Sequence, residues 1–415
     1  MRNFITTFAV FTLAISLSSC DHMGTTRVKN LIDLTPHLET EEDNALNFSD
    51  IDKKPLSIND NRSGHKITKY SIITQPAIAK QVMYFLDSAG YVTAFSLKEK
   101  RILWVTDIAQ NNRKRSISPD GGILFSNGKL YVASGSRYLT ILDSTTGHSI
   151  MQKEFPDILR TKPIMATDKI LIVQTASNQT VAYDVESSKF LWSHEGIVET
   201  ISSKNRANPI LHNKHVLVSY NSGDLLYIDI TNGKVKWSYQ ISANEIGLPN
   251  LDPSLLVVTP IIRNNYAYFA TSNNKVVKLD LDNGMPAWIK KIDDIQSMSV
   301  IGESIFVTTN ARQIAALATH NGKVEWIGNL ISDKDRSAKK PQATSFQSPF
   351  ITGTNIETNI NVIASNGEFY QFDLDKTGHL PLSPKITKIK KDAKYYWVSC
   401  CTGKLHIVTD KMLSF

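Results

Sequence analysis

The chain is poor in cysteine and has no long hydrophobic run beyond its N-terminus. Only 3 of its 415 residues are cysteine, one near the start and two adjacent at Cys400 and Cys401. That number is too small for a disulfide framework, and the spacing is not that of metal ligands. The 10 histidines show no paired spacing typical of a metal or nucleophile site. These absences leave no candidate catalytic or metal-binding residues.

The chain also lacks a strong excess of one charge. Lysine and arginine number 46 against 39 acidic residues, a formal net charge of +7, and both signs are spread along the sequence. Because nucleic-acid-binding proteins concentrate basic residues on one face, this balance argues against a nucleic-acid partner. Hydrophobic residues make up 41% and charged residues 20%, which is enough apolar material for a packed core.

The first twenty residues have the pattern of an export signal. Arg2 precedes an apolar run from Phe4 to Leu17, and the run closes with Leu17-Ser18-Ser19-Cys20. This ending resembles the bacterial lipobox, which is cut before the cysteine that is then lipidated. We therefore expect residues 1–19 to be a signal peptide and Cys20 the lipidated residue; the alternative is an ordinary secretory peptide with an incidental cysteine.

A lipidated chain would be held on a membrane surface by acyl chains, with the rest in the aqueous phase. The expected location is the periplasmic face of the outer membrane. In enteric bacteria an aspartate after the cysteine favours the inner membrane, and Asp21 occupies that place, so the choice of membrane stays open. Residues 20–52 are polar and acidic without sustained periodicity, and we interpret them as the lipidated cysteine and a flexible tether.

From residue 53 to 415 one unit recurs eight times. The first repeated feature is a turn between two strands, in each of which apolar and polar residues alternate. The turn column is Gly90, Arg137, Asn178, Gly223, Asn274, Arg312, Gly367 and Gly403. The spacing between successive turn residues, together with strands whose residues alternate between apolar and polar, is typical of β-propeller blades. Glycine and asparagine suit a tight hairpin that needs positive φ.

Three further columns follow the same period. An aspartate column is followed four residues later by glycine, which indicates a second hairpin, and a tryptophan column marks the outer strand. A proline column opens the innermost strand, where no ladder N–H is required. The columns are Asp143, Asp184, Asp229, Asp280 and Asp373; Gly147, Gly233, Gly284 and Gly322, with Gly378 displaced by one; Trp104, Trp192, Trp237, Trp288 and Trp326; and Pro76, Pro163, Pro209, Pro260 and Pro349.

The sequence thus predicts an all-β fold, an eight-bladed propeller of four-stranded antiparallel blades. The eighth repeat reaches the last residue before its tryptophan column. Since an open blade edge invites aggregation, we expect the segment Lys54–Ile58 to pair with the final blade as an N-terminal strand that closes the ring.

The repeat is similar to that of quinoprotein-type propellers, and Asp229-Ile230-Thr231-Asn232-Gly233-Lys234-Val235-Lys236-Trp237 is a close match. With its lipobox, acidic tether and eight units, the chain resembles the BamB family of outer-membrane β-barrel assembly lipoproteins. The resemblance implies a scaffold without enzymatic activity or cofactor. Its implied partners are the periplasmic domains of the central barrel-assembly protein and nascent outer-membrane proteins.

In that family the propeller docks through loops on one rim near the third and fourth blades. The corresponding segments here are 196–204 and 246–255. They supply the candidate contact residues Ile197, Val198, Glu199, Thr200, Leu251 and Asp252. The chain departs from the family pattern at both places, because the Leu-Arg pair of the first segment is absent and the paired aspartates of the second are reduced to Asp252. Asp252 precedes Pro253 and is also a plausible turn residue.

Two other functions remain open. The first is that of a quinoprotein dehydrogenase, because those enzymes share the repeat. Many of them contain adjacent cysteines beneath the cofactor, so the resemblance implies this role for an adjacent cysteine pair. Cys400 and Cys401, however, lie in the final repeat rather than early in the chain, and no comparable Glu, Asn and Asp set for calcium is found. The other alternative is a lipid-anchored propeller with a different envelope client.

Overall fold

All regular structure in the described residues is β-strand. The computed structural model describes residues 76–87, 90–99, 101–109, 121–196, 207–220, 222–241, 256–331, 344–354, 357–364 and 368–374, and the strands at 385–388, 393–398 and 405–409. None of these residues forms a helix long and apolar enough to cross a membrane.

The described strands of blades 1 to 4 follow one another along the chain. Blade 1 contains β1 (Ala77–Ala79), β2 (Val82–Leu86), β3 (Tyr91–Ser96) and β4 (Arg101–Asp107). Blade 2 contains β5 (Gly122–Ser126), β6 (Lys129–Ala133), β7 (Tyr138–Asp143) and β8 (Ser149–Glu154). Blade 3 contains β9 (Ile164–Met165), β10 (Ile170–Gln174), β11 (Gln179–Asp184) and β12 (Lys189–Glu195). Blade 4 contains β13 (Ile210–His212), β14 (His215–Ser219), β15 (Asp224–Asp229) and β16 (Val235–Gln240).

Blades 5 to 7 repeat this order, and an eighth sheet follows. Blade 5 contains β17 (Ile261–Arg263), β18 (Tyr266–Thr271), β19 (Lys275–Asp280) and β20 (Pro286–Lys291). Blade 6 contains β21 (Ile295–Ile301), β22 (Ser304–Thr309), β23 (Gln313–Ala318) and β24 (Val324–Asn329). Blade 7 contains β25 (Phe350–Thr354), β26 (Glu357–Ile363), β27 (Glu368–Leu374) and β28 (Lys385–Lys388). The eighth sheet contains β29 (Ala393–Val398) and β30 (Leu405–Thr409).

Each four-stranded sheet is an antiparallel meander, in which strands pair in chain order from the innermost to the outermost. The described residues form seven such sheets and the two-stranded sheet, so the predicted all-β propeller of four-stranded blades is confirmed. The prolines of the predicted column stand directly before β1, β9, β13, β17 and β25. The segment Lys54–Ile58, expected to close the ring, lies outside the described residues.

The turn column is confirmed at most of its described positions. Gly90, Asn178, Gly223, Asn274 and Arg312 all have positive φ, between strands 2 and 3 of their blades. Arg137 is the exception, because in blade 2 the residue with positive φ is Gly135. In blade 2 the residue with positive φ therefore lies two residues earlier in the turn than in the other blades named here. Gly367 and Gly403 lie outside the described residues.

Buried clusters join successive blades. Tyr84 and Leu130 belong to one cluster shared by blades 1 and 2, and similar clusters join each pair up to blades 6 and 7. A single blade cannot bury both of its faces alone. The clusters between blades therefore form an apolar core that continues from blade 1 to blade 7.

The tryptophan and glycine columns meet at the joints between blades. Four of the five indoles lie on the glycine of the next blade's outer hairpin and donate their Nε1–H to a backbone carbonyl there; the Nε1–H of the fifth, Trp326, is buried without a hydrogen-bond partner among the described residues. The pairs are Trp104 with Gly147, Trp192 with Gly233, Trp237 with Gly284, and Trp288 with Gly322. The accepting carbonyls belong to Ser144, Ile230, Leu281 and Thr319, at 2.8 to 3.1 Å. The tryptophan column is thus a set of contacts between blades.

Candidate functional site: the rim that carries the connections between blades

The meander places two kinds of loop on opposite rims of the blades. Strand 1–2 and strand 3–4 turns share one rim, which we call the hairpin rim. Strand 2–3 turns and the connections from one blade to the next share the other, which we call the loop rim. The segments 196–204 and 246–255 belong to the connections that follow β12 and β16, so both attach to the loop rim.

A repeated backbone hydrogen bond anchors the start of each connection. The residue that follows the outer strand donates its N–H to the carbonyl of the turn-column residue. Gly196 donates to Asn178 at 2.8 Å, and Ile241 donates to Gly223 at 2.9 Å. The same bond joins Ile108 to Gly90, Phe155 to Arg137, Ile292 to Asn274, and Leu330 to Arg312. Both candidate loops therefore leave the blades from a fixed backbone position.

Tyr220 forms the base of the first candidate loop. Its hydroxyl lies 2.7 Å from the Thr180 hydroxyl, and its ring stacks on His194 with centroids 6.0 Å apart. Burial raises the pKa of Tyr220, so the phenol stays neutral. A Cβ at Gly196 would lie 2.8 Å from this ring. Glycine at position 196 is therefore what lets the connection begin directly over the tyrosine.

The base of the second candidate loop is polar. The Ser222 hydroxyl donates to Asp224 at 2.5 Å, and the Gln240 amide donates to the Ser222 carbonyl at 3.1 Å. At the far end of the same connection, Val257 donates its backbone N–H to Ala270 at 2.9 Å. These bonds fix both ends of the connection to blades 4 and 5.

The connections end at the innermost strands in a chain of hydrogen bonds between blades. The residues involved directly precede the prolines of blades 3, 4 and 5. Lys162 donates its backbone N–H to Asn208 Oδ1 at 3.2 Å, and Asn208 donates its own to Thr259 Oγ1 at 3.2 Å. Because innermost strands surround the central channel of a propeller, these residues mark the mouth of that channel on the loop rim.

The residues predicted from the sequence to contact a partner lie outside the described residues, as do Cys20, Cys400 and Cys401. These residues are Ile197, Val198, Glu199, Thr200, Leu251 and Asp252. Gly196 entered the sequence prediction only as the first residue of the segment 196–204, and Tyr220 was not a candidate. A glycine at the end of an outer strand, outside both glycine columns, was the available signal.

The arrangement of the loop rim suits binding rather than group transfer. Backbone hydrogen bonds fix the points at which these connections leave the blades, and loops attached to a rigid scaffold commonly form recognition surfaces. In the described part of the chain, no three His, Cys, Asp or Glu side chains are placed to hold a metal ion. The acidic segment Asp280-Leu281-Asp282-Asn283-Gly284 has some likeness to a calcium loop, but it forms the outer hairpin of blade 5, in which Asp280 accepts from the Asp282 N–H at 2.8 Å.

The fold and its columns define a β-propeller of quinoprotein-type repeats. Residues 88–328 match the sequence profile of a family described as "Outer membrane protein assembly factor BamB". The chain belongs to this family.

Relatives extend the comparison. An uncharacterized protein of Rickettsia conorii is 38% identical over 413 residues, covering 98% of both chains. The outer membrane protein assembly factor BamB of Escherichia coli K12 is 22% identical over 255 residues, covering 60% of this chain and 64% of its own. The crystal structure of BamB from Moraxella catarrhalis superposes with a TM-score of 0.62 at 16% identity, covering 82% of this chain and 94% of its own, a likeness that shows the fold.

Proposed function

We propose that the protein is a periplasmic scaffold of outer-membrane β-barrel assembly that binds the central barrel component through its loop rim. The observation that carries this proposal is the pair of anchored connections over blades 3 to 5, which correspond to the docking segments of the family. Ile197, Val198, Glu199, Thr200, Leu251 and Asp252 are the proposed contact residues. The role requires no catalysis and no cofactor.

Exposed outer strands offer a second kind of contact, to nascent barrel strands. Among the described residues, the outermost strand of each four-stranded blade pairs on one side only, and several of these strands carry exposed apolar side chains. These include Leu103, Ile150, Phe190, Leu191, Ile289 and Ile327. An extended client could add a strand to such an edge, with apolar side chains in contact. Nascent outer-membrane strands, which alternate apolar and polar residues, have the matching pattern.

The membrane anchor is part of the proposal. Residues 1–19 would be removed, Cys20 would carry the acyl chains, and residues 20–52 would tether the propeller to the outer membrane, with the inner membrane as the alternative because of Asp21. Mass spectrometry of the mature N-terminus tests this directly, since acylation adds a defined mass to Cys20. A Cys20→Ala protein recovered in the membrane fraction in wild-type amount would contradict it.

Ring closure by Lys54–Ile58 is a further element of the proposal. β29 and β30 are the described strands of the eighth sheet, and a full blade has two more. Deletion of residues 53–60 should lower the melting temperature by many degrees, whereas deletion of residues 30–37, from the tether, should leave it unchanged. Equal melting curves for the two deletions would rule out the closure.

Co-purification tests the assembly role. The intact lipoprotein is captured from detergent-solubilised envelope, and the retained proteins are identified. Recovery of the central barrel component is the expected result. Its absence from a preparation in which the lipoprotein is folded and membrane-anchored would contradict the role and favour a different envelope client.

A further inference from the structure

Among the described residues, a lysine at the channel mouth has no counter-charge. The side chain of Lys162 is partly buried in front of the innermost strand of blade 3. Within the described part of the chain, no acidic group forms an ion pair with its ammonium and no acceptor bonds to it. Removing a cation from water without a partner is unfavourable, and this desolvation lowers the pKa of Lys162.

The surrounding backbone holds this lysine in place. Its backbone N–H is bonded to Asn208. The Lys162 side chain also packs against Gly122, the first residue of β5. A Cβ at Gly122 would lie only 2.8 Å from the Cβ of Lys162. The lysine thus lies between the innermost strands of blades 2 and 4. A fixed cation at such a place is preorganised for an anionic ligand.

Two further hydrogen-bond donors belong to the residues bonded or adjacent to Lys162. Asn208 uses its Oδ1 to accept from Lys162, so its amide NH₂ is left as a donor with no partner among the described residues. The hydroxyl of Thr161, next in sequence, is buried without a hydrogen-bond partner in the described part of the chain. Lys162, Asn208 and Thr161 therefore supply one cation and two further donors without partners among the described residues.

The charge of the rest of the loop rim agrees with this. The connection from β4 to β5 contains Arg113-Lys114-Arg115, and the connection from β24 to β25 contains Arg336 and Lys339-Lys340. Both connections belong to the loop rim by the topology of the blades. An approaching acidic group would be attracted by these two basic clusters.

We propose that the loop-rim mouth of the central channel is a carboxylate-binding site in which Lys162 is the charged ligand and Asn208 the amide donor. One carboxylate matches one ammonium and one N–H donor. The carboxylate could belong to an acidic side chain of a bound polypeptide or to a small free acid. This site is independent of the proposed assembly role, because it is defined in the purified chain without any partner.

The test uses the full-length soluble chain, with its lysines reductively ¹³C-dimethylated, a modification that preserves their charge. Loss of one NMR signal in Lys162→Arg assigns Lys162. Acetate and hexaglutamate are then added separately, and Lys129→Met, which removes an exposed lysine on the hairpin rim, is the matched control. Hexaglutamate should shift the Lys162 signal, and Lys162→Met should weaken hexaglutamate binding about tenfold, as expected for one lost charge-assisted hydrogen bond.

The outcomes separate the sources. Shifts with hexaglutamate and acetate together support a site for any carboxylate, and a shift with acetate alone supports a site for small acids. No shift with either probe overturns the proposal. A signal that responds only in Glu199→Gln also overturns it, because the ammonium would then be covered by the chain's own acidic residue in the neighbouring connection.

Discussion

The indole of Trp237, on the outer strand of blade 4, lies on Gly284, in the outer hairpin of blade 5. A Cβ at Gly284 would come within 2.6 Å of Cδ2 of this indole, and the Trp237 Nε1–H donates to the Leu281 carbonyl at 2.8 Å. Position 284 therefore excludes a side chain for two reasons, its φ of +73° and the ring above it. One residue pair links turn conformation to the packing of neighbouring blades.

Substitution of this glycine should be costly. Gly284→Ala should lower the free energy of unfolding by the strain of a left-handed alanine, about 1–2 kcal/mol, and by a further ~1–3 kcal/mol for the displaced indole. Gly128→Ala is the matched control, because Gly128 has the same φ of +73° with nothing within 4 Å of its Cβ position. Chemical denaturation measures both. Equal losses in the two variants would show that the indole contact adds nothing.

One joint lacks both members of this pair. In blade 2 the tryptophan column is occupied by Met151, and in blade 3 the glycine column is occupied by Ser188, which keeps a φ of +58°. The Ser188 hydroxyl lies 3.6 Å from the Met151 sulfur. Where the outer strand carries a smaller, flexible side chain instead of an indole, the hairpin has room for a side chain instead of glycine. This agrees with the other joints, where the indole lies on a glycine.

This substitution predicts coupling between the two positions. Met151→Trp alone should destabilise the protein, because the Ser188 side chain occupies the place on which the indole would lie. Combined with Ser188→Gly, it should be better tolerated, with a favourable coupling energy of about 1 kcal/mol in a double-mutant cycle. Denaturation of the two single variants and the double variant measures this energy. Additive effects would mean that the two columns are independent.

Much of this architecture could be predicted from the sequence, and the reason is its repetition. The turn, proline and tryptophan columns recur once per blade. Because of this repetition, even a weak local preference, such as that of Asn178 for positive φ, can be recognised in the sequence. The contact of Trp237 with Gly284 could not be predicted, because it joins two columns from different repeats. The preference of a tight turn for glycine was enough to explain Gly284. Nothing in the sequence indicated that an indole ring lies on it.

The candidate site was less predictable. Blade repeats share their strands but not their connections, so no column covers residues 197–206 or 242–255. Only the resemblance to the family indicated Ile197 and Asp252. Tyr220 and Lys162 occupy positions of the repeat at which the residue type changes from blade to blade. Tyr220 occupies a turn position held by Asp87 in blade 1, whose carboxylate bonds to the Tyr91 N–H at 3.0 Å, and a single departure of this kind gives no periodic signal.

A buried ion pair stabilises the joint between blades 6 and 7. Arg312 Nη2 lies 3.6 Å from Glu368 Oε2, and both side chains are 8% exposed. The Tyr370 hydroxyl bridges them, since it donates to Glu368 and accepts from Arg312 at 3.3 Å. The Arg312 Nε–H also donates to the Leu330 carbonyl at 3.2 Å, which ties the pair to the start of the next connection.

Loss of one partner should leave a buried charge uncompensated. Arg312→Met should lower the free energy of unfolding by about 3–5 kcal/mol. Arg101→Met is the control, because the Arg101–Glu99 pair is 56% and 50% exposed and should contribute about 1 kcal/mol or less. Thermal and chemical denaturation measure both. A similar small effect for the two variants would contradict a structural role for the buried pair.

The central claim, that the loop rim is the docking surface, is tested most directly by the affinity for the periplasmic domains of the central barrel protein. One variant replaces Ile197–Thr200 with Gly-Ser-Gly-Ser and carries Asp252→Arg. The control carries Lys234→Glu and Met285→Ser, two exposed positions on the hairpin rim. The loop-rim variant should bind at least about tenfold more weakly, as loss of central contact residues does, while the control binds as the wild type. Wild-type affinity in the loop-rim variant, with weakened binding in the control, would contradict the account.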